Sequence, residues 1–373
     1  MKSPDSEKTD PFLAIPPELQ KAQLKPKGQP MPSLGLIDPL MKDPAITEIM
    51  INDVRNIYIE KEGKLSFSGL TYNSREGLDA VVQQLIELAG KVLTPDTTYL
   101  DAMLPDGSRL NVVLPPLALY GPSITIRKFP SRRISANDLV AQQSMDQRMA
   151  YFLNLCVLAR LNILICGGTG SGKSTLLNAL VSFVPKSERV VLIEDTPELS
   201  LSNPNSVRLQ TIPQTPTSSP VTVRDLVINA LRMRPDRIIV GECRKQEALD
   251  ILQAMNTGHS GSMTTIHSNS PRDGLVRLET LCMLAGSDLP LIAIRKQMAS
   301  ALDLIVQTKR FRNGKRRITG IVEVTGCEGD VITLQDLFTF DTEKEAFKAT
   351  GLVPTFIDEI KELGFDLPPR LFS

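Results

Sequence analysis

The chain has 373 residues, 42% of them hydrophobic, which is apolar material for at least one full core and, at usual domain sizes, two. Lysine plus arginine and aspartate plus glutamate each number 42, so the net charge is zero and the chain lacks the long-range field of a dedicated nucleic-acid binder. The five cysteines are scattered without a CxxC pair, which fits a reducing, cytoplasmic setting and excludes a paired-cysteine zinc module.

The start, MKSPDSEKTDPF, lacks the apolar stretch of a signal peptide, and no apolar run approaches the roughly 20 residues of a membrane helix. A soluble chain is expected, with docking on a membrane surface left open. Residues 1–33 are rich in Pro, Lys, Gln and Ser and predict a disordered tail, because too little apolar surface offsets the entropy of ordering. From Leu34, ITEIMIN and NIYIE read as strands separated by the turn-prone NDVRN, with Gly63 closing a hairpin. SREGLDAVVQQLIELAGKV reads as an amphipathic helix, its Leu78, Val81, Val82, Leu85, Leu88 and Ala89 near helical spacing. LDAMLPDGSRLNVVLPP carries a turn at Pro105 to Gly107, and SITIRKF alternates apolar with polar residues. Together these predict a small α+β domain over residues 34–133.

The second predicted domain covers residues 134–373. ISANDLV and DQRMAYFLNLCVLAR look helical. LNILICG, STLLNALVSF and RVVLIED then alternate strand with helix, which predicts a parallel α/β sheet. From Thr325 onward the expectation is short strands followed by a helix, FIDEIKELG.

GGTGSGKST matches GxxxxGK[ST] at Gly167, Gly172, Lys173 and Ser174, directly after an apolar strand and before a helix former. In such a P-loop, backbone N–H groups of Gly168, Thr169, Gly170, Ser171 and Gly172 curl around phosphates, and the helix start through Thr175 adds positive potential. Lys173 is expected to reach the β- and γ-phosphates and Ser174 to coordinate Mg²⁺, so ATP with Mg²⁺ is the predicted ligand set. Hydrolysis also requires acidic strand ends. RVVLIEDTPEL ends its strand in Glu194 and Asp195, and DRIIVGE ends in Glu242. The latter has the form of a Walker B strand, except that Gly241 stands where the metal-binding aspartate is usual. That departure gives Glu242 the attacking water and passes part of the metal duty to Glu194 and Asp195. A loop cap is the alternative for Glu194 and Asp195, and surface charge the alternative for Glu242.

These blocks, with GSRLNVVLPPLALYGPSITIRKFP, LRMRPDRIIVGECR, EALDILQAMNTGHSGSMTTIHSNSPRDGLVRLET and the closing DLPPRLF, resemble the ATPases of type II and type IV secretion and of type IV pili. The strongest likeness is to the CpaF/TadA type that assembles Flp, or tight-adherence, pili. The resemblance implies a RecA-like P-loop NTPase motor domain preceded by a PAS-like domain. It also implies a homo-hexameric ring and a cytoplasmic ATPase peripherally associated with the inner membrane, where it works with a polytopic platform protein and pilin or secretion machinery. It maps an Asp box to Glu194–Glu198 and a His box to Gly258–His267, with His267 as γ-phosphate sensor. His259 is the less favoured histidine, and core hydrogen bonding is the alternative for either. Phosphoryl transfer needs positive charge against the transition state, and the resemblance supports Arg109 and Arg127 as arginine fingers, with Arg132 and Arg133 weaker. Solvated strand charge is the alternative. Arg232, Arg234 and Arg237 flank the second acidic strand and serve equally as local ion pairs.

The chain departs from many relatives in lacking both the CxxC zinc module and a long helical extension before the first domain. KRFRNGKRR, Lys309–Arg317, reads as a basic hairpin around Asn313-Gly314, open to an acidic lipid, a platform protein or plain solvent. The rival class is a RecA-fold nucleic-acid motor, disfavoured by zero net charge and 5% aromatics, so no nucleic-acid partner is expected. A GTP switch lacks an NKxD element, and a non-catalytic assembly protein would not need Glu242.

Overall fold

The computed structural model describes residues 31–373 apart from 62, 94–97, 130–133, 213–218, 287–288, 366 and 369. The tail expected over residues 1–33 therefore lies almost wholly outside the described residues, as do Arg132 and Arg133. Two compact units divide between residues 133 and 134.

The first unit opens with a 3-10 turn, Gly35–Ile37, running into α1, Asp38–Lys42, whose Pro39 sits in the first turn where its missing N–H costs nothing. Strands β1 (Ile46–Ile51), β2 (Ile57–Lys61) and β3 (Lys64–Phe67) precede α2 (Arg75–Leu88), and β4 (Tyr99–Met103), β5 (Arg109–Val113) and β6 (Ser123–Arg127) follow it. All pair antiparallel in the order β3-β2-β1-β6-β5-β4. Helix α2 starts where Ser74 accepts a hydrogen bond from Gly77 N, and it buries Leu78, Val81, Val82, Leu85 and Ile86. These pack with Leu110, Val112, Ile124 and Ile126 from alternate strand positions, each buried side chain contributing on the order of 1.5–3 kcal/mol. The same alternation puts Arg109 and Arg127 on the other face, directly opposite one another.

The second unit begins with α3 (Ala136–Ala141), held by a capping box between Ser135 and Asp138, and α4 (Gln147–Leu158). Then come β7 (Ile163–Gly167), α5 (Lys173–Val181), β8 (Val190–Glu194), β9 (Ser206–Gln210), α6 (Val223–Ala230), β10 (Arg237–Val240), α7 (Glu247–Asn256) and β11 (Met263–His267). Next are α8 (Pro271–Met283), α9 (Leu291–Ala301), β12 (Leu304–Arg310), β13 (Arg316–Glu328), β14 (Val331–Asp341), β15 (Ala346–Ala349) and α10 (Ile357–Glu362).

The sheet order is β15-β14-β13-β12-β7-β11-β10-β8-β9. From β12 to β9 every neighbour is parallel, whereas β13, β14 and β15 add antiparallel. The sheet is thus mixed rather than purely parallel. Its central strands are apolar without alternation because both faces are covered: Ile163 and Ile165 pack with α4 and α5, while Leu164 and Cys166 pack with α7, α8 and α9. Of the short strands and helix expected from Thr325 onward, β15 has four residues and α10 lies within FIDEIKELG, but β14 is longer at 11 residues and pairs with a 13-residue β13 that starts earlier, at Arg316. Gly326 is absorbed at a register shift with φ 139°.

Candidate functional site

Strand β7 hands over to α5 through Gly168–Gly172, with Gly170 at φ 68° and Gly172 at φ 100°, a left-handed backbone that a side chain would strain. Gly167 is required for a different reason. A Cβ there would stand 2.2 Å from Thr308 Oγ1 and 2.4 Å from Ser171 Oγ, because β12 lies directly alongside. Gly168 has open space around it, which leaves room at the loop's mouth.

The sheet order explains what gathers here. β11 lies between β7 and β10, so His267, at the end of β11, falls between Lys173 and Glu242. Lys173 is buried, and Nζ donates to Gly168 O at 3.1 Å and to His267 Nδ1 at 3.3 Å. An ammonium can only donate, so Nδ1 accepts and the imidazole proton sits on Nε2, 2.7 Å from Glu242 Oε1. Burial and then the Lys173 charge hold His267 below its ordinary pKa, so the ring is neutral near pH 7. Burial likewise lowers the pKa of Lys173, against the pull of Glu242.

Glu242 Oε2 accepts from Arg244 Nη2 at 2.6 Å, and Arg244 Nη1 lies 3.7 Å from Asp195 Oδ2. Burial pushes the Glu242 carboxyl up, yet the hydrogen bond and charge of Arg244, then His267 and Lys173, leave it below the usual glutamate value. Its buried Oε1 makes no in-line hydrogen bond among the described residues, so it keeps acceptor capacity for a water. Lys173, His267, Glu242, Arg244 and Asp195 thus form one continuous polar line. Arg244 was visible as the residue after GEC, but nothing in the sequence told which way it points.

Glu194 is only 5% exposed and its carboxylate is engaged: Oε1 accepts Glu198 N and Leu199 N at 2.8 Å each, and Oε2 accepts Arg208 Nη2 at 3.3 Å. Burial nevertheless raises its pKa. Here it ties down the loop after β8. A Cβ on Gly241 would stand 3.2 Å from Glu194 Cγ, so Glu194 fills the space that an aspartate at 241 would claim.

Ser174, in the first turn of α5, is half-buried. Among the described residues no cluster of His, Cys, Asp and Glu could hold a metal by itself, so a Mg²⁺ here must share its coordination with phosphate oxygens. The open space at Gly168 and the spare Glu242 Oε1 fit such a nucleotide-borne ion.

His259 is not at this site; its Nδ1 lies 3.2 Å from Ala254 O at the end of α7. Arg237 is fully buried, ion-paired with Glu188 and bonded to Val157 O at 2.7 Å, a structural role. Arg109 and Arg127 belong to the first unit, where Arg127 Nε lies 3.6 Å from Glu48 Oε1. The basic hairpin is turned partly toward the phosphate loop. Thr308 Oγ1 donates to Cys166 O at 3.0 Å and touches Ser171 Oγ at 2.8 Å, and Arg316 Nε donates to Gly170 O at 2.8 Å.

A family model described as type II/IV secretion system protein matches residues 32–328. The chain belongs to that family. It is 34% identical over 304 residues to a putative conjugal transfer protein of Mycobacterium tuberculosis, covering 80% of this chain and 86% of the relative. Similarity at 32% identity over 327 residues extends to the type IV secretion system protein VirB11 of Bartonella henselae, covering 76% and 90%. The mixed α/β fold is that of the pilus retraction motor PilT, at TM-score 0.56 and 19% identity over 90% of this chain and 87% of that one. The Legionella pneumophila ATPase DotB shares it at TM-score 0.52 and 20% identity over 82% and 84%. Among the described residues no helix is long and apolar enough to cross a membrane.

Proposed function

We propose that this member of the secretion family is an ATP-hydrolysing motor of the CpaF/TadA type, RecA-like in its second unit and PAS-like in its first. It acts as a homo-hexamer at the cytoplasmic face of the inner membrane, driving assembly of a Flp/Tad pilus or secretion together with a platform protein. The observation that carries the reading is the Lys173–His267–Glu242 line, which connects a phosphate-loop lysine to a strand-end carboxylate. Its relatives and structural neighbours, which include a putative conjugal transfer protein, a type IV secretion protein, an ATPase and a retraction motor with bound ADP, support the same class.

The chemistry follows from this chain's residues. Lys173 exchanges its bond to Gly168 O for phosphate oxygens, and the loop N–H groups of residues 168–175 share the remaining charge. Ser174 would hold Mg²⁺, with Glu194 and Asp195 sharing that duty. Bound there, the ion would neutralise charge developing on the phosphates. Glu242 orients water through Oε1 while Arg244 fixes Oε2, and His267 couples the position of Lys173 to that carboxylate. Arg109 and Arg127 supply positive charge to the transition state.

Lys173→Ala is expected to lower nucleotide affinity, and Glu242→Gln to retain binding while cutting phosphate release by about 10²-fold or more. Normal turnover in Glu242→Gln would overturn the catalytic assignment. A specific activity independent of protein concentration in a monomer would overturn the shared-site ring.

A further inference from the structure

The hairpin formed by β12 and β13 overhangs the phosphate loop. Thr308 pairs with Gly167, the last residue of β7, so Lys309 and Arg310 carry β12 onward past the point where β7 becomes loop. Arg310 and Arg316 are register partners and therefore share one face of the hairpin. That face is the one Thr308, two residues before Arg310, turns toward Ser171. Both guanidiniums reach the loop: Arg316 Nε bonds Gly170 O, and Arg310 Nη1 stands 3.1 Å from where a Gly170 Cβ would be.

Three other cations of the hairpin make contacts away from the loop. Lys309 lies 5.5 Å over the Phe311 ring, Arg317 stacks at 5.4 Å on Phe340 and donates to Gln143 O, and Lys315 pairs with Glu345 at 3.4 Å. Two guanidiniums on one face of a hairpin can hold a polyanion by charge-assisted hydrogen bonds. Guanidinium is also the side chain best matched to phosphate oxygens.

We propose that Arg310 and Arg316 are nucleotide ligands supplied by the same subunit, gripping the polyphosphate of the nucleotide seated in the loop. This rests on the nucleotide reading of Gly167–Thr175 and adds a second cationic wall to it.

The test is calorimetric titration of the 373-residue chain with ATP, ADP and AMP, using Arg310→Gln, Arg316→Gln and Arg316→Lys, with Lys315→Gln as the hairpin control. Each glutamine variant is expected to weaken ATP and ADP binding by about tenfold or more, as for loss of a charged hydrogen bond, with a much smaller change for AMP. Arg316→Lys should recover part of the loss, and Lys315→Gln should bind as the parent does. Unchanged ATP affinity in both glutamine variants overturns the proposal. So does an equal loss for ATP, ADP and AMP with a lowered nucleotide-free melting temperature, the signature of loop support alone. Arg310→Gln is a second, independent test where Arg316→Gln misfolds. A parent chain that binds none of the three nucleotides would instead overturn the nucleotide reading itself.

Discussion

Each unit carries two arginines directly opposite on adjacent antiparallel strands, Arg109 with Arg127 in the first and Arg310 with Arg316 in the second. The registers are alike and the surroundings are not. Arg127 has a carboxylate, Glu48, within 3.6 Å, whereas Arg316 bonds the carbonyl of a glycine in the phosphate loop. Strand register brings like charges together in both places, but what they meet next determines their use. The second pair lies at the glycine loop of its own unit and the first lies beside Glu48. On the proposed mechanism the second pair grips bound nucleotide and the first serves as a transition-state contact.

The comparison predicts opposite kinetic signatures. Arg127→Ala should lower turnover by about 10³-fold, as loss of an arginine finger does, with nucleotide affinity nearly unchanged. Equal losses of affinity from Arg127→Ala and Arg310→Gln would erase the distinction between the pairs, and unchanged turnover would remove the finger assignment. A smaller effect is expected at Arg244, a third arginine that serves a carboxylate rather than a phosphate. Its removal leaves burial to push Glu242 upward, so the acid limb of the turnover profile should move to higher pH. A pH–rate profile that does not shift would show that Arg244 does not govern this carboxylate.

The smallest effect concerns Asp303, next to the start of β12 at the end away from Arg310. It accepts Asn162 N at 2.7 Å, and burial raises its pKa from 3.8 to about 6. The folded state therefore binds its proton more tightly than the unfolded chain. This contribution to stability is complete below pH 3.8 and is lost as pH rises through about 6. Asp303→Asn should gain on the parent in melting temperature between pH 4 and pH 7, on the order of a few degrees. A difference that stays flat across that range would contradict the buried titration. Comparing it with the arginine variants sharpens the contrast between charge that merely tolerates burial and charge that meets a ligand.

Much of the site was legible because its constraints are local. Gly170 and Gly172 need left-handed backbone, and the strand-to-helix context is contiguous in the sequence. Glu242 and Glu194 were identifiable as acidic ends of buried strands, although only the structure shows Glu194 already engaged by Glu198, Leu199 and Arg208. Arg310 and Arg316 read only as part of a basic turn, since their approach to Gly170 depends on β12 lying beside β7. The turn of helix at Asp38–Lys42 went unread because five residues give too little periodicity to register. The length of β13 and β14 was not legible because it depends on their pairing with each other, which continues through two register shifts.

Thr308 packs against Ser171 across 137 residues of chain. During synthesis, which proceeds from the N-terminus, the glycine loop emerges well before the strand that walls it. A nascent chain halted before β12 would present that loop without Thr308, Arg310 or Arg316 beside it. Competence to hold nucleotide firmly would then arrive late in translation, after most of the sheet's other strands have been made.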